Sequence, residues 1–283
     1  MRRIGLITQL LWPRYGPFWA KLLHEAGHEV IKAEPQALAV ALSDARLAEI
    51  PGLAFRYAAA QALAMSDCDF LLTPGLNPKE SQRGGGQDPW IADFPSTLQK
   101  ALIGLPAVLA VPATLEEPLE SLAVGLLHRL SHDTTLVRRA WERHRASAKP
   151  PHHHEPHIPP HPNQRTLGLL AQPWLLSPAL GACLQREGVV VISQGELSPA
   201  LLRAEGRRVD PRLIDTDAEV IGAARYLGRK GSIDELVLVV DETSGTDRWL
   251  ASRVARLAHK PLTRLSLQSL IEEGSGKPLT DIA

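Results

Sequence analysis

The chain gives one order of structural signals twice. Arg3-Ile4-Gly5-Leu6-Ile7-Thr8-Gln9 opens the first copy, and Arg165-Thr166-Leu167-Gly168-Leu169-Leu170-Ala171-Gln172 opens the second. Each is followed by a tryptophan (Trp12, Trp174), a helix-like stretch closed by glycine, and a short apolar run: Gly27-His28-Glu29-Val30-Ile31 in one and Gly188-Val189-Val190-Val191-Ile192 in the other. The parallel continues with Ser66-Asp67-Cys68-Asp69-Phe70-Leu71-Leu72 against Ser232-Ile233-Asp234-Glu235-Leu236-Val237-Leu238. It closes with Gly104-Leu105-Pro106-Ala107 against His259-Lys260-Pro261-Leu262. Self-similarity over such a period predicts two domains of one architecture, with ligand chemistry in a cleft between them.

The short apolar runs alternate with longer stretches of helical period, which is how strands buried on both faces of a parallel sheet read. Strands are predicted near 4–8, 29–31, 70–73 and 107–111, and again near 166–171, 189–192, 236–240 and 262–265. Gly27 is placed to end the first helix in a left-handed conformation, and Ser177-Pro178 reads as an N-cap followed by proline at the first helical position. Residues 117–148 read as a helical region broken near His132-Asp133, its second part a solvated helix rich in arginine around Trp141. The expected fold is therefore α/β: two similar parallel-sheet, Rossmann- or flavodoxin-like domains at 1–148 and 164–283. The joining segment, 149–163, contains five histidines and six prolines from Lys149 to Pro162. His153, His157 and His161 would share a helical face, but Pro156, Pro159 and Pro160 forbid the helix, so an extended linker is expected.

Composition excludes some functions. The 283 residues hold 31 acidic and 31 basic side chains, so no excess positive charge favours nucleic acid. No run approaches the roughly 18 apolar residues of a membrane span, and no apolar leader is evident. With only Cys68 and Cys183, there is neither a disulfide framework nor a CxxC metal motif, and a reducing, cytoplasmic setting is expected.

In open parallel sheets, ligands gather beyond the carboxyl ends of the strands. That rule selects Trp12 and Tyr15 after the first strand, Gln172 and Trp174 after its counterpart, and Thr243, Ser244 and Asp247 after the third strand of the second half. The last segment, Asp241 to Asp247, suits anion capture by a helix N-terminus or plain helix capping. Phe18 and Trp19 read as core. Gly84-Gly85-Gly86 lacks the Lys-Ser/Thr of a phosphate loop and sits in a polar insertion, 77–89, read as a loop over the cleft. No nucleophile elbow, HExxH or GxGxxG is present, so the residues alone name no reaction.

The opening strand running through Pro17-Phe18-Trp19 to Gly27-His28-Glu29-Val30 resembles the 2-hydroxyacyl-CoA dehydratase and benzoyl-CoA reductase subunits. More narrowly, it is similar to the domain associated with their ATP-dependent activases. Leu169-Leu170-Ala171-Gln172-Pro173-Trp174 resembles that group's strand and Gly-x-Pro-Tyr turn, and Ser244-Gly245-Thr246-Asp247 falls where the group carries Cys-Gly-Pro-Asp. The resemblance implies a cysteine-bound [4Fe-4S] cluster, a CoA thioester substrate, an activase or cluster-bearing partner subunit and, if catalysis is retained, lyase or reductase chemistry. Here Ser244 and Asp88 stand at cluster positions, and no cysteine lies near Leu53 and Ala54. One hydroxyl and one carboxylate do not replace soft thiolates, so no cofactor is expected. The leading expectation is a cluster-free binding, scaffolding or regulatory subunit. Its rivals are a non-redox enzyme acting on an acyl or phosphorylated molecule and a redox subunit that borrows cluster ligands from a partner chain.

Overall fold

The structure is a computed structural model that describes residues 1–76, 88–116, 118–150 and 164–273. The triglycine Gly84–Gly86 with most of its insertion, and linker residues 151–163, lie outside the described residues.

In chain order the elements are β1 (Arg3–Leu6), α1 (Trp12–Glu25), β2 (Glu29–Ile31), α2 (Pro35–Ala41), α3 (Leu53–Ala64), β3 (Phe70–Gly75), α4 (Pro89–Ala92), α5 (Phe94–Ala101), β4 (Ala107–Pro112), α6 (Glu120–Leu130) and α7 (Thr134–His144). There follow β5 (Arg165–Leu170), α8 (Pro178–Leu184), β6 (Val189–Ser193), α9 (Pro199–Arg207), α10 (Asp215–Gly228), β7 (Glu235–Val240), α11 (Gly245–Leu257), β8 (Leu262–Ser266) and α12 (Leu267–Glu273). The chain divides into two compact units. One comprises residues 1–50, 55–76, 89–116 and 118–150; the other comprises residues 51–54, 88 and 164–273.

The first unit carries a four-stranded parallel sheet in the order β2-β1-β3-β4, and the second a four-stranded parallel sheet in the order β6-β5-β7-β8. Parallel neighbours require crossover helices, which is why each apolar run is followed by a helical one. Every predicted strand is present, with ends shifted by one or two residues.

In the first unit Gly5 pairs with Ile31 and Leu71, and in the second Gly168 pairs with Ile192 and Leu236. A Cβ on Gly5 would lie 2.9 Å from Leu71 Cδ2, and one on Gly168 2.9 Å from Leu236 Cδ2, so neighbouring side chains occupy the space beside each central strand. The bends into the second strands also correspond, because Gly27 (φ +79°) and Gly188 (φ +74°) both take the left-handed conformation that side chains resist. Strand starts are fixed alike: Arg3 N–H donates to Asp69 Oδ2 and Thr166 N–H to Asp234 Oδ2, each at 2.7 Å. This register corrects the alignment read from sequence by one residue. Asp69 answers Asp234, not Glu235.

The first unit's core is aromatic on both sides of its sheet. Tyr15, Phe18 and Trp19 of α1 are buried, with Trp141 of α7 edge-on to Phe18 at 6.4 Å. On that side α7 reads as expected, burying Val137, Ala140 and Trp141 while Arg143 pairs with Glu25. Phe55, Trp90 and Phe94 form the other group. The second unit's core is aliphatic and centred on α10, buried along almost its whole length between α9, α11 and the sheet. Two glycines permit the α9–α10 crossing: a Cβ on Gly222 would lie 1.8 Å from the Leu202 carbonyl oxygen, and one on Gly206 2.0 Å from that of Ala218. Backbone atoms cannot give way as a side chain can.

Candidate functional site

The carboxyl edge of the second sheet gathers polar side chains that strands and helix starts push together. β5 ends into Gln172, β7 ends into Asp241, α10 begins with Thr216 and Asp217, and α11 begins behind Ser244 with Asp247 in its first turn. All six are buried. Gln172 Nε2 donates to Asp217 Oδ1 at 2.9 Å, the Asp241 N–H donates to Asp247 Oδ2 at 3.2 Å, and Ser244 Oγ donates to Asp247 Oδ1 at 3.1 Å. Asp241 Oδ1 accepts from the Thr243 N–H (2.9 Å), Thr243 Oγ1 (2.6 Å) and Gln268 Nε2 (2.8 Å). The N–H of Leu53, within the segment that belongs to this unit, donates to Asp241 Oδ2.

Burial is the main cause pushing Asp217 up to about 7, opposed by the Gln172 hydrogen bond and the positive charge of Arg253. Burial likewise pushes Asp247 up to about 7, and the nearby charges of Asp241 and Asp217 add to the rise. A desolvated carboxylate beside others favours its protonated form.

For Asp241 to Asp247 the sequence leaves two readings open, anion capture at Thr243, Ser244 and Asp247 or plain helix capping. In the structure the α11 N-terminus is satisfied internally, the Asp247 N–H donating to Ser244 Oγ at 3.2 Å, and three carboxylates surround it. A phosphate there would face buried acids rather than a free helix N–H. The turn is a helix cap with buried acids behind it.

The other sequence-selected residues fall as follows. Trp12 is half-buried and packs edge-on against Tyr15 at 5.5 Å. Tyr15 is wholly buried, its hydroxyl 3.5 Å from the Ile7 carbonyl oxygen, and burial raises its phenol well above the ordinary range. It was expected to line an accessible cleft; its place on the inner face of α1, four residues before Trp19, makes it core instead. Trp174 is also buried, Thr243 is exposed, and Asp88 is half-buried. Cys183, near the end of the short helix α8, is exposed.

The loop from β1 to α1 holds a feature that sequence did not announce. Leu10 (φ +60°) and Leu11 (φ +68°) are consecutive non-glycine residues in the left-handed region, which costs roughly 1–2 kcal/mol each. Leu11 also starts α1 without a side-chain cap. Just before it, the Thr8 N–H donates to Gln61 Oε1 and Gln61 Nε2 to Thr8 Oγ1, both at 2.9 Å. In the second unit the N–H at the matching place, Ala171, donates to Gln194 Oε1 at 3.4 Å. Each central strand thus ends on a glutamine side chain. Asp217, Gln61 and Gln194 were missed by sequence reading because a lone Asp at a helix start, or a lone Gln, looks like any other.

The residues do not fit an iron–sulfur cluster. The Ser244 hydroxyl is committed to its helix cap, and Cys68 sits in the turn before β3, at the opposite edge of its sheet, its thiol raised chiefly by burial and then by Asp67. Among the described residues no group of three His, Cys, Asp or Glu is arranged to hold a metal ion. Nor, among them, is any helix long and apolar enough to cross a membrane. The first unit has an open groove of about 780 Å³ between α6 and α7, lined by His128, Arg138 and Trp141 among others, but no strand end reaches it. Comparison with family models, curated proteins and solved structures finds no match.

Proposed function

We propose that this chain is a binding or regulatory subunit built from a duplicated α/β unit, and a cluster-free relative of the 2-hydroxyacyl-CoA dehydratase subunits. The observation that carries the duplication is the shared register about Gly5 and Gly168, reinforced by the glycine bends at Gly27 and Gly188 and the aspartates at Asp69 and Asp234. Convergence on one strand order is common in α/β proteins; agreement of strand starts, bends and central glycines is much less so.

The cluster-free part rests on Ser244 serving as a helix cap where the related proteins supply a thiolate. The ligand is taken at the carboxyl edge of the first unit's sheet, next to the strained Leu10-Leu11 loop and half-buried Trp12. Strain held at a loop of this kind is a pointer to function, since something must maintain it.

Anaerobic purification with the histidine-rich linker removed tests the cluster-free reading. Iron and acid-labile sulfide are expected well below stoichiometry, and about four irons per chain would overturn it. Thermal-shift titration with CoA thioesters and with free CoA tests the ligand: stabilisation that disappears in Trp12→Ala supports the site, and stabilisation that survives it places the ligand elsewhere. The rival reading, non-redox catalysis, draws its support from the raised acids Asp217 and Asp247, since perturbed acids gather at catalytic sites.

A further inference from the structure

Other buried or half-buried acids of the second unit have strong partners. Glu219 accepts from Arg203 at 2.9 Å, Glu205 from Arg225 at 3.1 Å, and Asp210 from Arg253 at 2.9 Å. Asp241 accepts several donors, and both oxygens of Asp247 accept one each. Asp217 differs. It is wholly buried, and its one donor among the described residues is the neutral amide of Gln172, on Oδ1. Its Oδ2 accepts no hydrogen bond among the described residues, and neither does Gln172 Oε1. Two acceptors are therefore left over on the two members of one hydrogen-bonded pair, in a place without solvent, where an unmet acceptor is costly.

A single proton resolves both. A carboxylic acid and a primary amide are complementary: the acid's carbonyl oxygen accepts the amide N–H, and its O–H donates to the amide carbonyl oxygen. We propose that in the folded second unit Asp217 is a neutral carboxylic acid at neutral pH, its proton on Oδ2 donated to Gln172 Oε1, and that this proton is a pH-sensitive brace between β5 and α10.

The surrounding charges agree with that assignment. On α10 itself, Asp215 and Glu219 are tied to Arg207 and Arg203 of α9, whose Glu205 is tied to Arg225. α11 contributes Asp247, which disfavours a second negative charge, and Arg253, whose attraction for an Asp217 carboxylate is shared with Asp210. The turn after β7 contributes Asp241, and Glu242 paired with Arg264. Arg165 and Glu235 pair with each other at the amino ends of β5 and β7. Among the described residues no cation is committed to Asp217 alone. The value of about 7 for Asp217 follows from its burial and is consistent with a proton retained near neutrality.

The inference does not depend on the proposed ligand. It is tested in the full chain by following hydrogen exchange of β5 and β7 amides from pH 5 to pH 7.5. In the wild type the unfolding constant of the second unit should rise with pH, by up to about tenfold per pH unit for one linked proton. Asp217→Asn keeps a donor and an acceptor in place and cannot titrate, so it should fold, lose one proton's worth of that dependence, and match or exceed the wild type at pH 7.5. Asp247→Asn should keep a pH dependence. Retention of the wild-type slope in Asp217→Asn, failure of that variant to fold, or loss of the slope in Asp247→Asn alone would each overturn the assignment.

Discussion

The two units build the same sheet and then treat the space beyond its carboxyl edge in opposite ways. In the first, β1 ends on neutral groups: Thr8 and Gln61 satisfy each other, and the strain is in the backbone at Leu10 and Leu11. In the second, β7 ends into the buried acid Asp241, Gln172 after β5 bonds the buried acid Asp217, and the strain is electrostatic. Strand order and register go with apolar runs and a central glycine, which both units have. The chemistry goes with a handful of residues after the strands, in which the two units differ. The titrating groups sharpen the contrast. In the first unit, buried His28 has its pKa lowered by burial and by the charges of the chain's amino terminus and Arg2, so it resists becoming charged. In the second, Asp217 and Asp247 resist losing their protons.

The largest effect separating the units should come from the α9–α10 crossing, which the first unit lacks in this form. Gly222→Ala places a methyl against the Leu202 carbonyl, and overpacking against backbone should cost about 3 kcal/mol or more. Segment-resolved hydrogen exchange should show β5 and β7 deprotected and β1 and β3 unchanged; equal loss in both would mean the units do not unfold separately. Next come the matched substitutions Gly5→Ala and Gly168→Ala. Each pushes on a leucine Cδ2 2.9 Å away, so each should destabilise its own unit by about 1–3 kcal/mol, and a large disparity would break the claimed equivalence. Smallest is the pair Asp69→Ala and Asp234→Ala. Removing the acceptor of one strand-start N–H should cost about 1 kcal/mol in each unit by urea unfolding.

Much of the scaffold was legible in the sequence, and little of the site. Val189–Ser193 and Glu235–Val240 announce strands by their unbroken apolar runs, and Gly27 and Ser177-Pro178 announce helix ends by backbone chemistry that acts locally. Tyr15 was misplaced because periodicity gives a helix face but not how much of the next element covers it. Asp217 was invisible for a related reason. At a helix start an aspartate is ordinary, and only packing by α9, α11 and the sheet turns it into a desolvated acid beside Gln172.

The contrast in buried charge is tested most directly by comparing opening free energies of β1 and β3 with those of β5 and β7 at pH 7 and pH 5. Asp217 and Asp247 have folded values of about 7, above the ordinary 3.8, so their stabilisation is complete below 3.8 and is lost as pH rises through 7. The second unit should therefore become more stable on acidification, by up to about 1.4 kcal/mol per pH unit for each proton. His28 has its folded value below the ordinary 6.5, so its contribution is present above 6.5 and lost as pH falls. The first unit should become less stable over the same interval. Opposite signs for the two sheets are the predicted result; a shift of both in one direction, or of neither, would contradict the account.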